Sequence, residues 1–239
     1  HFRLNNGQVG SIYRELIAHR IYRELGYPGL RATFANLGSN VWGEDNWIPM
    51  TLIEVYKKKF CEDNQDLVGG TCSNIWEFAG DPVDGVPGDA CQLSQCDNTR
   101  LTELGEMVRS APEGEGFKAA LDSIIDWPRF HQFQCLSWML ATGDDHLHNN
   151  NNVLIIERDD GKLVWAPYSV DISAGQAWYP DVALYGDSSI ARRCEQDPAC
   201  WADTIATCED LIERFDALNP ETIVEEVHET LESHGMIRP

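Results

Sequence analysis

Apolar positions along the chain change period several times, and those changes outline its elements. Tyr13, Ile17, Ile21 and Leu25 recur every four residues, which predicts a helix over residues 11–25. Ser11 is placed to cap it, and Gly26 followed by Pro28 ends it. Residues 31–37 and 47–55 read as strands joined by the turn-rich segment 38–46. Residues 61–100 show little periodicity and read as a long loop region. Short helices follow over 101–109 and 117–125. Asp126 caps a stronger helix, with Pro128 in its first turn and Phe130, Phe133, Trp138 and Leu140 among its apolar positions, ending near Thr142-Gly143. Helices over 200–218 and 220–233 close the pattern, with Asn219 as the cap of the second and Gly235 after its end. The sum is an α+β chain, mostly helical towards the C-terminus.

The most informative pattern lies between those helices. Two apolar runs, Val153-Leu154-Ile155-Ile156 and Leu163-Val164-Trp165-Ala166-Pro167, flank the turn Asp159-Asp160-Gly161 and predict a β-hairpin. Paired strands lie about 4.8 Å apart, so residues just before the first and just after the second become neighbours. Asp145 and residues 149–152, all asparagine, should therefore face Asp171, although 26 positions separate Asp145 from Asp171. Two carboxylates and several amide oxygens around one cavity suit a hard divalent cation. Protein kinases use the same order for phosphoryl transfer: a loop Asp, an Asn five residues on, a hairpin, then a metal-holding Asp. Each residue also has a structural reading. The Asn run can serve a left-handed loop, Asp171 can end a strand in solvent, and Trp165 can be core or an adenine-stacking face. His146 and His148 lack a third ligand, which favours hydrogen bonding in the loop over zinc.

Charge and cysteines narrow the class. Net charge is −21, from 18 basic and 39 acidic residues. Such a surface repels nucleic acid and anionic lipid, and a polyanion such as ATP would need bridging metal. No apolar stretch is long enough to span a membrane. The N-terminus, His1-Phe2-Arg3-Leu4-Asn5, reads as the end of a strand in mid-domain rather than a signal peptide. Eight cysteines form close pairs at 61/72, 91/96 and 194/200 and leave Cys135 and Cys208. Disulfides in an oxidising compartment fit better than zinc, with the connectivity left open by sequence.

Several ordered blocks resemble the spore-coat-protein-H (CotH) kinase family. They are Tyr13-Arg14-Glu15 with its helix and the Gly26-Tyr27-Pro28 stop, Arg31-Ala32-Thr33-Phe34-Ala35, Met50-Thr51-Leu52-Ile53-Glu54, Asp145 with His148-Asn149, and Pro167-Tyr168-Ser169-Val170-Asp171 with Gly175. The resemblance implies an atypical protein-kinase-like fold in one domain over 1–239. Residues 1–60 would be the remnant of an N-terminal lobe, 61–100 a disulfide-stapled loop region, and 101–239 a helical C-terminal lobe. It also implies ATP with Mg²⁺ or Mn²⁺ (or Ca²⁺ as a structural ion) and transfer to Ser or Thr of secreted or surface proteins. Asp145 would be the catalytic-loop carboxylate, Asn150 or Asn151 and Asp171 the metal ligands, and Glu15 the partner of a phosphate-binding Lys upstream of His1. Glu54 and Trp165 would border the nucleotide. Ser169 departs from the family's Asp-x-Asp, which leaves a non-catalytic surface, adhesion or structural module with a cation site as the alternative.

Overall fold

The computed structural model describes residues 2–5, 13–38, 47–85, 90–171, 173 and 188–236. The expected cap Ser11, most of the turn segment 38–46 and Gly175 lie outside these residues. Helix and strand mix in one chain, with helix predominating and the strands in two small antiparallel sheets.

The first sheet has the order β1-β3-β2, from β1 (Phe2–Asn5), β2 (Ala32–Gly38) and β3 (Trp47–Glu54). Helix α1 (Arg14–Glu24) packs against it, and Leu25 and Tyr27 behind the helix are buried. Gly26 takes φ +77°, where an L side chain is strained, so the helix stop needs glycine for its backbone conformation.

The second sheet has the order β4-β5-β6, from β4 (Cys72–Phe78), β5 (Val153–Arg158) and β6 (Leu163–Pro167). The expected hairpin is present, with Val153 paired to Pro167 and Glu157 to Leu163. Its turn closes through Gly161 at φ +80° and a bond from the Arg158 N–H to the Lys162 carbonyl at 2.9 Å. Strand β4 overturns part of the loop reading for 61–100, as do the short helices α2 (Lys58–Asp63) and α3 (Gln65–Val68). Asn74, Ile75 and Trp76 are all buried, because both faces of the strand are covered. Alternation, the usual mark of a strand, is therefore missing.

This second sheet divides two cores. Val153, Ile155, Leu163 and Trp165 enter the larger, beside Phe130, Phe133 and Trp127. Leu154, Ile156, Val164 and Ala166 enter the smaller, with Ile53, Tyr56 and Phe60. Helix α4 (Thr99–Ser110), α5 (Phe117–Leu121) and α6 (Trp127–Met139) build the larger core. The Asp126 side chain accepts from the Arg129 N–H, as a cap should, and α6 ends at Met139, earlier than expected. After α7 (His146–Asn149) come α8 (Ser189–Gln196), which was not foreseen, α9 (Pro198–Leu218) and α10 (Pro220–Ser233). Asn219 differs from expectation. It stands at φ +50° and its amide donates to Thr222 Oγ1, so it links α9 to α10 without capping the latter through its side chain.

Four disulfides join Cys61–Cys72, Cys91–Cys96, Cys135–Cys208 and Cys194–Cys200, which fits folding in an oxidising environment. Among the described residues no helix is long and apolar enough to cross a membrane. Cys135–Cys208 closes a separation of 73 residues and Cys194–Cys200 one of 6. Loop-closure entropy then predicts that Cys135→Ala/Cys208→Ala costs about 4 kcal/mol and Cys194→Ala/Cys200→Ala about 2 kcal/mol. Urea denaturation of the two double variants checks this. Equal losses would mean that loop length does not govern what these bonds contribute.

Candidate functional site

The hairpin end carries the site. Because Val153 pairs with Pro167, the Asn loop at 149–152 and the segment 168–171 leave the sheet side by side. Asp145 is almost fully buried and begins α7: its Oδ1 accepts from the N–H groups of Leu147 (3.0 Å) and His148 (3.1 Å) and lies 2.7 Å from His148 Nδ1. Its other oxygen, Oδ2, is buried and meets no hydrogen-bond partner among the described residues, and the same holds for Asn149 Oδ1 and Asn150 Oδ1. Leaving such an acceptor unpaired costs about 1–3 kcal/mol each. Three acceptor-only oxygens within six residues are what a hard cation or a hydroxyl donor would satisfy.

The loop owes its shape to Asp144, whose importance spacing alone did not signal. Its side chain accepts from the amides of Asn149, Asn151 (3.0 Å) and Asn152 (2.8 Å). Those amide nitrogens are turned to Asp144, and Asn150 and Asn152 adopt φ +54° and +47°, a conformation Asn tolerates. The Asn150 carbonyl accepts from the Gly80 N–H at 2.5 Å, which ties the loop to the chain beyond β4.

Helix α1 and strand β1 carry a second group of charged and polar side chains. Glu15 is buried, with Arg3 bonded to one carboxylate oxygen and the Asn5 amide to the other at 2.5 Å. Burial raises the Glu15 carboxyl above its ordinary range; Arg3 and Asn5 oppose that shift, and the charge of Asp171 adds to it. Glu15 and Asp171 are therefore electrostatic neighbours. The Arg3 guanidinium also lies over the Tyr168 ring at 4.4 Å. Burial raises the Tyr168 hydroxyl, with Arg3 opposing and Glu77 reinforcing the shift. Ser169, at φ +52°, donates to Asp171 Oδ1 at 3.2 Å.

Other expected residues sit elsewhere. Glu54 is held within the first sheet, accepting from the Arg31 N–H and guanidinium. Trp165 is fully buried, edge-on to Phe130 at 4.9 Å, the core position open to it from sequence. His146 and His148 diverge: His146 Nε2 meets Ser188 Oγ at 2.9 Å, while His148 meets Asp145. One cluster of His, Cys, Asp or Glu ligand atoms has three members among the described residues, His131 with Cys194 and Cys200. Those two sulfurs are bonded to each other, so they offer no thiolate to a metal. Arg3, Asn5 and Tyr168 escaped the sequence reading because their roles arise from packing between distant segments.

No family model matches the chain, and no curated protein matches it.

Three histidines here and nearby are buried and kept neutral. Burial lowers His19 to about 3, with Arg3 and Arg23 adding to the effect. Burial likewise lowers His131 to about 4, and His146 is lowered mainly by burial. A depressed imidazole is neutral in the fold and charged in the unfolded chain below pH 6.5, so its contribution is present above that pH and lost as pH falls. His19 and His131 together predict a loss approaching about 2.7 kcal/mol per pH unit between about pH 6 and 4, and His146 adds to it in the same direction. Urea midpoints measured across this range test it. His131→Gln should lower the slope by up to about 1.4 kcal/mol per pH unit, and an unchanged slope would mean that His131 is not buried neutral.

Proposed function

We propose that this chain is a kinase-like domain, related to the CotH type, that binds a metal-chelated nucleoside triphosphate and transfers its terminal phosphoryl group to Ser or Thr of a secreted or surface protein. The observation carrying this reading is the Arg3–Glu15 pair set beside Asp171. Phosphoryl transfer needs a cation for the phosphates, held in place by a carboxylate, next to an aspartate that holds metal. A lysine upstream of His1 is the cation expected from the resemblance; here Arg3, on β1, occupies the position against Glu15. Its planar fork can bridge a carboxylate and a phosphate at once, which favours arginine at a shared contact.

The residues divide the work. Arg3, steadied by Glu15 and by the Tyr168 ring, fixes the phosphate chain. Asp171 and the free oxygens of Asn149 and Asn150 are the donors that would hold a divalent cation. Such an ion, when bound, neutralises charge developing on the phosphates. Asp145 presents Oδ2 toward the acceptor hydroxyl while its Oδ1 is fixed by α7, so positioning is built before substrate arrives. The four disulfides support an extracytoplasmic setting. Ser169 beside Asp171 favours a second reading, a non-catalytic module on the same fold, since a hydroxyl there supplies no charge to the ion.

Thermal unfolding with Mg-ATP or Mn-ATP at millimolar concentration decides between binding and none. A nucleotide at a hundred times its Kd stabilises by about 2.7 kcal/mol, and Asp171→Ala and Arg3→Met should each abolish the shift, with Arg3→Lys keeping most of it. Asp145→Asn should keep the nucleotide shift but lose transfer of labelled phosphate to a Ser/Thr peptide library. No shift in the wild-type protein would sink the nucleotide reading, and a shift without transfer would favour the non-catalytic module.

A further inference from the structure

A cleft of about 430 Å³ opens where α4 and α8 meet, lined by Val83, Asp84, Arg109, Ser189, Arg192 and Arg193 among others. Three guanidinium groups against one carboxylate is the reverse of the charge balance of the whole chain, which carries 39 acidic and 18 basic residues. None of the three arginines forms an ion pair with a carboxylate among the described residues, and neither do Arg14, Arg23 and Arg129, whose guanidinium groups bond carbonyl and amide oxygens; Arg3, Arg20, Arg31, Arg100, Arg158 and Arg214 all do. Arg193 is built in: it lies over the Phe117 ring at 4.6 Å and donates to the carbonyls of Val108, Ala111 and Pro112. Arg109 gives one bond to the Val83 carbonyl at 2.9 Å and keeps its remaining donors for the cleft. Arg192 is exposed.

The cleft is also wired to the candidate site. Gly80 donates to the Asn150 carbonyl, and Asp81 next to it accepts from the Ser189 N–H and hydroxyl at 2.8 and 2.6 Å. Residues 80–84 therefore run from the Asn loop to the cleft wall, and four residues of chain span at most about 14 Å.

We propose that this cleft is a docking subsite for the acidic segment of a peptide partner. Arginine forks recognise carboxylates through paired N–H donors, and a cationic cleft on an anionic protein selects its ligand by charge. Repulsion from the rest of the surface is screened beyond about 8 Å at physiological salt, so the local arginines decide the outcome. Combined with the kinase reading, on which this second half rests, the spacing makes the substrate a Ser/Thr segment whose acidic run lies within about four residues of the part seated at the Asn loop, at about 3.5 Å per extended residue.

The test is fluorescence anisotropy of a labelled twelve-residue peptide containing six consecutive Glu, in 0.15 M NaCl without nucleotide. Wild type should bind it, the same peptide with Gln for Glu should not bind, and Arg109→Glu/Arg192→Glu should weaken binding at least tenfold. That double variant should keep any Mg-ATP stabilisation, because neither residue belongs to the nucleotide site. No binding by wild type, equal binding by the double variant, or equal binding of the Gln peptide overturns the docking role. Peptide binding with no nucleotide shift would leave the subsite standing and remove only the kinase reading.

Discussion

A hairpin buried on both faces holds the candidate site together. Strands β5 and β6 send alternate side chains into two separate cores, so neither strand can slide by one residue without exchanging every contact on both sides. Trp165, edge-on to Phe130, and Ile155 anchor one face; Ile156 and Val164 anchor the other. Each such side chain contributes about 1.5–3 kcal/mol on burial. That rigid register is what sets residues 149–152 beside residues 168–171, and the polar groups inherit a position they could not hold alone.

Upon this frame the electrostatics form two clusters. In one, Asp144 gathers three amides and leaves Asp145 with one oxygen satisfied and one unpaired. In the other, β1 brings Arg3 and Asn5 to the two oxygens of Glu15. Glu15 is buried next to Asp171, and Arg3 offsets part of the resulting repulsion. A buried Glu15 with the half-buried Asp171 near it and a single guanidinium is a state that added positive charge would relieve. Among the described residues the unpaired buried oxygens of Asp145, Asn149 and Asn150 are acceptor-only, whereas those of Tyr22, Tyr56, Ser137 and Thr142 are hydroxyls; other buried polar groups find partners, such as Tyr27 on the Trp165 carbonyl and Thr204 on His131.

Disulfides and neutral histidines set the conditions under which this arrangement survives. Cys61–Cys72 ties α2 to the start of β4, and Cys135–Cys208 ties α6 to α9, so the bonds reinforce contacts between elements that are far apart in sequence or short of periodic structure. The price is acid sensitivity, since His19, His131 and His146 sit where a charged imidazole cannot be solvated.

Much of the architecture was legible in the residues themselves. Four-residue spacing in α1, Asp126 and Pro128 at the start of α6, and the Asp159-Asp160-Gly161 turn are local signals, and local geometry answers to local chemistry. The hairpin argument likewise brought the Asn loop and residues 168–171 to one end of a sheet. Strand β4 stayed hidden because burial on both faces erases alternation, and α8 lay outside the periodic pattern that was read. The partners of Glu15, the amide cage of Asp144, the burial of Trp165 and the unpaired arginines around the cleft depended on how distant segments pack. A side chain's type and spacing determine what it can bond to. Only the folded chain decides which of those partners comes within 3 Å, because that distance is fixed by contacts made far away along the sequence.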